Sequence, residues 1–252
     1  PSTIHWHGLR HDYRMDGVPE LSQEVVQPGE SFDYTLRFPD GGLYWYHPHV
    51  REEMQQDLGL SGNIVVGGME HLPPVDREEL LLLDDMLIGN DGLVPFGRES
   101  VTHALMGRFG NVMLVNGEPL WHGSVRPGET VRFWFTNAAN TRTFNVSFTN
   151  ATMRVVAGDM GAYDRRMAVE SVVLAPAERY AVDVTFRGGE SRLVNRVRAL
   201  DHLYGRFFQQ DDTLGTVTVG GTPVGQGPVA DEFVPAVAAD QRAAIGQHSA
   251  AA

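Results

Sequence analysis

Short runs in which apolar and polar residues alternate with a period of two dominate the sequence. Residues 32–38, 131–135 and 180–186 each carry an apolar side chain at every second position. Successive side chains of a β-strand point to opposite faces, so this pattern is typical of strands with one buried face. Clusters of glycine, proline, asparagine and aspartate separate the runs, as in turns. The sequence therefore predicts an antiparallel β-sandwich or barrel, and only residues 76–85 and 231–244 leave a helix open as an alternative.

Two local repeats indicate tandem related domains. Residues 26–32 (VQPGESF) recur as residues 125–131 (VRPGETV), and in both copies a Pro-Gly turn precedes an alternating run. Residues 60–68 (LSGNIVVGG) recur, one residue shorter, as residues 214–221 (LGTVTVGG). Both copies of this second repeat are typical of a final strand that ends in glycines. Repeats of this kind predict two related folding units.

The repeats, together with the glycines and prolines of residues 67–74, divide the chain into three parts. We predict the C-terminal part of one domain at residues 1–70, a second domain at residues 71–222, and a linker or tail at residues 223–252. The first part is much shorter than the second, so we expect the first domain to be truncated at its N-terminus. No signal peptide is recognisable in the sequence.

Composition excludes several classes of site and partner. The chain contains no cysteine, which excludes a disulfide scaffold, a thiolate zinc site, an iron–sulfur cluster and a cysteine nucleophile. A formal net charge of −12 argues against a nucleic-acid groove and against an anionic membrane surface. The longest apolar run, residues 80–83, is far shorter than the roughly 18 residues of a membrane span. We therefore expect neither nucleic acid nor membrane as a partner.

Two His-x-His pairs are the most informative polar motifs. His5 and His7 form the first pair, and His47 and His49 form the second. Residues i and i+2 of a strand share a face about 6–7 Å apart, so each pair can offer two imidazoles to one metal or one imidazole to each of two adjacent metals. Neutral imidazole suits Zn, Cu, Fe and Ni. Pro48 cannot donate a ladder hydrogen bond, which places the second pair at a sheet edge or a strand end.

The surroundings of the pairs are compatible with a metal site or with an ordinary core. The aromatic residues beside them could exclude water from a metal, or simply pack as core. The remaining histidines are isolated, and we expect them to be solvated or hydrogen-bonded; they are His11, His71, His103, His122, His202 and His248. Among them only His11 stays a candidate neighbour of the first pair.

The motifs in residues 1–68 resemble the first two copper motifs of the multicopper oxidases, the laccase family. They are TIHWHG at residues 3–8, DGVP at 16–19, GLYWYHPH at 42–49 and GLSG at 59–62. The proline inside the third of these is closer to bacterial than to fungal members. The second part resembles the copper-free middle domain of the family at Asn116-Gly117, Pro127-Gly128, residues 132–137, residues 159–161 and residues 176–180. The resemblance implies an all-β fold of tandem cupredoxin-like Greek-key β-sandwich domains.

The resemblance also implies a role for each matching residue. His5 would bind the type 2 copper of a trinuclear cluster, and His7, His47 and His49 would bind the type 3 pair. Asp16 matches an acid that assists proton delivery to oxygen, although it could equally be a turn residue before Gly17. These histidines are half of the ligands of the cluster. The type 1 copper needs a thiolate, so that site is absent from this chain.

The activity implied by the resemblance is that of a laccase-like oxidoreductase, which couples one-electron oxidation of a substrate to four-electron reduction of O2 to water. The reducing substrate would be a phenol, an aromatic amine or a metal ion. The other ligands would lie in a third domain of the parent protein, so we expect this chain to be inactive alone. The family resemblance favours a periplasmic or secreted location.

Two other functions remain open from the sequence. A cupin-type single-metal oxygenase would use His47, His49, Glu53 and a later histidine, and would leave His5 and His7 without a role. A copper-free scaffold member of the cupredoxin superfamily would keep the fold without the metal. Retention of all four motif histidines weighs against the scaffold.

Overall fold

The structure, a computed structural model, describes residues 1–225 except residues 70, 71, 98 and 202. A first unit is built on a three-stranded antiparallel sheet in the order β1-β2-β3. Its strands are β1 (His5–His7), β2 (Gly42–His47) and β3 (Gly62–Val66). A 3-10 turn (Tyr13–Met15) and the short helix α1 (Glu52–Gln55) lie in its connections.

The second unit, formed by strands β4–β16, is a sandwich of two sheets. The six-stranded sheet has the order β12-β11-β14-β9-β4-β7, and the five-stranded sheet has the order β13-β10-β15-β16-β8. The strands are β4 (Arg77–Met86), β5 (Ile88–Gly89), β6 (Gly92–Leu93), β7 (Val112–Val115), β8 (Trp121–Val125), β9 (Thr130–Asn137), β10 (Phe144–Phe148), β11 (Ala151–Gly158), β12 (Gly161–Val169), β13 (Val172–Leu174), β14 (Arg179–Phe186), β15 (Gly189–Asp201) and β16 (Arg206–Val219). Strands β5 and β6 form a separate hairpin. The β4–β9 and β8–β16 pairs are parallel, and the other pairs are antiparallel.

Helices contribute little to the fold. The second helix, α2 (Ser100–Met106), precedes β7. Within the described residues, no helix is both long enough and apolar enough to cross a bilayer. The all-β fold predicted from the alternating pattern is confirmed.

Strand β9 of the six-stranded sheet is buried on both faces. Val131, Phe133 and Phe135 of β9 face the five-stranded sheet and belong to the main apolar core. The intervening residues are buried as well, because the first unit covers the other face. There, Trp134 packs in a second apolar cluster with Leu43 of β2. The two units therefore share an apolar cluster, which positions β2 against the second unit.

Two of the three alternating runs form strands. Residues 131–135 lie in β9, residues 180–186 lie in β14, and residues 76–85, which the sequence left open, are mostly β4. The strand predicted at residues 32–38 is wrong, because no strand is present there. Alternation specifies which side chains share a face, but a strand also needs a neighbour, and none of the described strands pairs with this run. Residues 231–244 lie outside the described residues.

The Pro-Gly repeats form the same turn in both copies. The backbone N–H of Glu30 donates to Gln27 O (2.9 Å), and that of Glu129 donates to Arg126 O (3.0 Å). In each copy the glutamate side chain also accepts a hydrogen bond from the first backbone N–H of the turn. The intervening glycine has φ +91° in one copy and +81° in the other, the left-handed conformation that such turns require.

The second pair of repeats forms the strands β3 and the end of β16, each followed by glycines, as predicted. Division of the chain into domains near residue 70 stays a prediction. Most of the linker or tail expected at residues 223–252 lies outside the described residues.

Phe133 lies at the centre of the main core, so Phe133→Ala should lower the free energy of unfolding by about 3–5 kcal/mol. Its ring is fully buried and contacts Phe148 at a centroid distance of 4.6 Å. Phe207→Ala is the matched control, since that ring is 61% exposed. Chemical denaturation of both variants tests the prediction, and equal losses from the two would contradict it.

Candidate metal centre

The pairing of β1 with β2 brings the two histidine pairs together. In this antiparallel register His5 lies opposite His47, and His7 lies opposite Trp45. Because side chains alternate along a strand, His5, His7 and His47 project from one face. His47 is the last residue of β2, and the chain leaves the strand at Pro48. The strand-end position predicted from this proline is confirmed.

The four imidazoles converge. Ring centroids of His5 lie 4.6 Å from His49, 5.3 Å from His47 and 5.6 Å from His7. One ring nitrogen from each of His5, His7 and His47 falls within 4.8 Å of the other two. A second group of the same kind consists of His47, His49 and the carboxylate of Glu52.

Backbone carbonyls set which nitrogen of two rings faces the centre. Nδ1 of His5 lies 2.8 Å from the main-chain oxygen of Asp16, and Nδ1 of His47 lies 3.1 Å from that of Pro48. A carbonyl oxygen only accepts, so Nδ1 is the donor in both rings, which leaves Nε2 as the nitrogen available to a metal. Nε2 of His47 faces Nδ1 of His7 at 3.3 Å. The arrangement presents nitrogen lone pairs to a common space.

Burial favours the neutral form of three of these imidazoles. It lowers the pKa of His7 to about 3, with help from the nearby positive charge of Arg179. Burial also lowers the pKa of His47 to about 4, and it lowers the pKa of His49. Trp45, which is almost fully buried, stacks on His47 at 4.3 Å and shields one side of the ring. Neutral imidazole is the form that binds metal.

Asp16 lies between two histidines. Its Oδ1 is 3.2 Å from Nδ1 of His5 and 3.0 Å from Nε2 of His11. Asp16 also closes the 3-10 turn, where its N–H donates to Tyr13 O, and Gly17 follows with φ +74°. A Cβ on Gly17 would clash with the backbone of Ile4. Asp16 therefore occupies the turn position and also contacts two histidines, and its role in proton delivery stays a prediction.

Of the other isolated histidines, the two that the structure describes, His103 and His122, lie outside this cluster. His122 is exposed and bonds to Thr216 at 2.8 Å, and His103 lines a separate cavity beside α1 and α2. His71, His202 and His248 lie outside the described residues.

Two residues near the centre were not predicted from the sequence. Glu52 places Oε2 3.4 Å from Nδ1 of His49, whereas its neighbour Glu53 pairs with Arg51 instead. The spacing of three residues between His49 and Glu52, across the start of α1, could have indicated this contact. Arg179, from the second unit, lies against Gly8 and bonds to Leu43 O. No sequence pattern links it to the histidines.

Comparison with known proteins finds matches to both parts of the chain. Family profiles described as multicopper oxidase match residues 1–71 and 90–196. The chain is 29% identical over 232 residues to copper resistance protein A of Escherichia coli and 31% identical over 213 residues to a laccase of Bacillus subtilis, in alignments covering 74% and 75% of the chain. These alignments cover 38% and 41% of the two relatives, so the chain spans well under half of their length.

The fold is also similar to that of a solved multi-copper oxidase from Pseudomonas thermotolerans. The TM-score is 0.77 at 31% sequence identity, covering 94% of this chain and 54% of the other. The likeness confirms the cupredoxin-like β-sandwich predicted from the sequence.

We expect the stability of the metal-free protein to fall as the pH drops from 6.5 towards 4. An unfolded histidine binds a proton near pH 6.5, whereas His47 in the folded protein binds one only near pH 4. In this window the unfolded state binds more protons, so acid favours unfolding. Above pH 6.5 both states are neutral at this residue and the effect vanishes.

His47→Gln should reduce this loss, and His122→Gln, at an exposed position, should not. Urea unfolding of the three proteins at several pH values in this range measures the difference. The same pH dependence in the wild type and in His47→Gln would show that burial of His47 does not control it.

Proposed function

The chain belongs to the multicopper oxidase family, and we propose that it supplies half of the histidine ligands of a trinuclear copper cluster. In this proposal His5 binds the type 2 copper, and His7, His47 and His49 bind the type 3 pair. Convergence of these four imidazoles on one space is the observation that carries the proposal. The activity is that of a laccase-like oxidase, which oxidises a phenol, an aromatic amine or a metal ion with O2.

The donor set fits copper. Imidazole nitrogens are good ligands for copper, and burial holds His7 and His47 in the neutral state that ligation needs. The carbonyls that accept from Nδ1 of His5 and His47 fix the orientation of both rings, as partners of ligating histidines commonly do. Bound copper would supply the one-electron steps between the reducing substrate and O2.

Asp16 is the residue of this chain that would handle protons. Its carboxylate contacts both His5 and His11 and is 31% exposed, so it can exchange protons with solvent at one side and hold one beside the cluster at the other. Trp45 stacks on His47 and excludes water from that face of the ring.

The electron entry site must lie elsewhere. A type 1 copper requires a thiolate, and these 252 residues contain no cysteine. We propose that a third domain of the parent protein supplies this site and the other half of the cluster ligands. A periplasmic or secreted location, inferred from the family resemblance, belongs to the same proposal.

The two alternative functions fit the geometry less well. A cupin site would need Glu53, but that carboxylate pairs with Arg51, and the cupin site would leave His5 and His7 unused. A scaffold without metal has no need for four imidazoles that converge on one space. Neither alternative is favoured.

We expect His47→Ala combined with His49→Ala to abolish copper binding, because the variant removes two of the four donors. The bound copper of the purified protein after removal of free metal is the measurement. His122→Ala is the control, because this exposed residue bonds to Thr216 and lies outside the histidine cluster. Unchanged stoichiometry in the double variant would remove both residues from the site.

The copper-loaded chain should show no oxidase turnover comparable to that of an intact laccase. The physical reason is that electrons have no thiolate-bound copper through which to enter. Oxygen consumption with a phenolic substrate is the assay, and an intact laccase is the positive control. Turnover at the laccase level would contradict the proposed division of the active site.

A further inference from the structure

Arg179 of the second unit reaches into the first unit. It begins β14 and is 3% exposed. Its Nε donates to the main-chain oxygen of Leu43 at 3.0 Å, and its Nη1 donates to that of Ala177 at 3.0 Å. Nη1 also lies 3.2 Å from Oδ1 of Asp159. Three acceptors therefore fix the planar guanidinium.

The guanidinium bonds to β2 and lies beside Gly8, the residue that follows β1. Leu43 lies on β2, four residues before His47. Gly8 follows His7 directly, and a Cβ on Gly8 would come within 2.5 Å of Nη2 of Arg179. Gly8 has φ +83°, a conformation natural to glycine, and the missing side chain leaves room for the guanidinium.

Asp159 completes the connection. Its main-chain oxygen accepts from the N–H of Leu43 at 3.1 Å, and its carboxylate accepts from the N–H of Arg179 at 2.9 Å. The N–H and C=O of one strand residue point to the same side, so both groups of Leu43 are bonded to the second unit. Strand β1 pairs with β2 only at residues 45–47. Beyond that pairing, Asp159 and Arg179 bond to the backbone at the free edge of β2.

These bonds lie beside an apolar interface. Leu43 packs there with Trp134, Val156, Ala157 and Ala181, all buried. In such surroundings water cannot replace the lost partner of a backbone group. We therefore expect the strand to shift when the hydrogen bond is removed.

We propose that Arg179 and Asp159 form an interdomain clamp that holds β2 and the end of β1 where their four histidines converge. Arg179 is in this sense a positioning residue for the metal centre, acting through the two strands rather than on the metal. The inference rests on the proposed function for its copper readout, but the clamp itself concerns the histidine geometry.

The test compares Arg179→Lys, Arg179→Gln and Asp159→Asn with a matched control, Arg132→Lys. Arg132 is also a buried arginine of the six-stranded sheet, bonded to Asp183 and to Pro73 O, and none of these bonds reaches β1 or β2. Circular dichroism first establishes which variants are folded. Copper(II) affinity is then measured by competition with a chelator, and the nitrogen coupling of the bound ion by electron paramagnetic resonance.

We expect Arg179→Gln to lower copper affinity about 10-fold or more, the loss typical of groups that orient metal ligands, and to alter the nitrogen coupling. Arg179→Lys keeps the positive charge but loses the planar set of N–H donors, so it should show the same change. Asp159→Asn should show a smaller change. Arg132→Lys should keep the wild-type affinity and spectrum. If Arg179→Gln does not fold, Arg179→Lys and Asp159→Asn carry the test.

A second readout needs no copper. In the metal-free protein, the side-chain resonances of His7 and His47 should move in Arg179→Lys and stay in place in Arg132→Lys. Folded Arg179 variants with wild-type histidine resonances, or with wild-type affinity and spectrum, would overturn the clamp. A wild-type chain that binds no copper would instead overturn the proposed function. In that case the histidine resonances of the metal-free variants would still show whether Arg179 positions the histidines.

Discussion

The antiparallel register of β1 and β2 is the constraint on which the proposed metal centre depends. It sets His5 opposite His47, so one imidazole from each pair lies on the same face of the sheet. The second histidine of each pair, His7 or His49, is two residues further along the chain. Because side chains alternate with a period of two, a slip of one residue would send one pair to the opposite face. The convergence of His5, His7 and His47 is thus a consequence of backbone pairing, and His49 joins them from the segment that follows β2.

This register is supported from outside the small sheet. Three strands bury little apolar surface alone, and β1 is only three residues long. The six-stranded sheet supplies a second apolar surface, which includes Trp134, and covers β2 at Leu43. A unit without any of the motif histidines therefore contributes to the metal centre by packing and by backbone hydrogen bonds.

Burial then determines the chemistry. Desolvation holds His7 and His47 neutral far below the pH at which a free histidine would bind a proton. The positive charge of Arg179 acts on His7 in the same direction, while the acids Asp16 and Glu52 lie at the margin, each beside one motif histidine. Neutral imidazoles at the centre and carboxylates at the rim are the arrangement on which the proposed copper site is based.

The sequence by itself determined the all-β class, the turns of the two Pro-Gly repeats and the strand-end position of His47-Pro48-His49. Each of these follows from local chemistry: alternation, the left-handed glycine of a turn, and the missing N–H of proline. The resemblance to copper motifs added which histidines belong together. These features need no knowledge of what lies across the sheet.

Only the tertiary structure decided the rest. Residues 32–38 alternate as well as β9 does, but no described strand pairs with them. Glu52, and not the neighbouring Glu53, faces His49 because α1 turns the chain directly after the second pair. Arg179 meets Leu43 across 136 positions of sequence, and a hydrogen bond between residues so far apart leaves no periodicity or motif. Local preferences specify each strand, whereas neighbours and contacts depend on how the sheets pack.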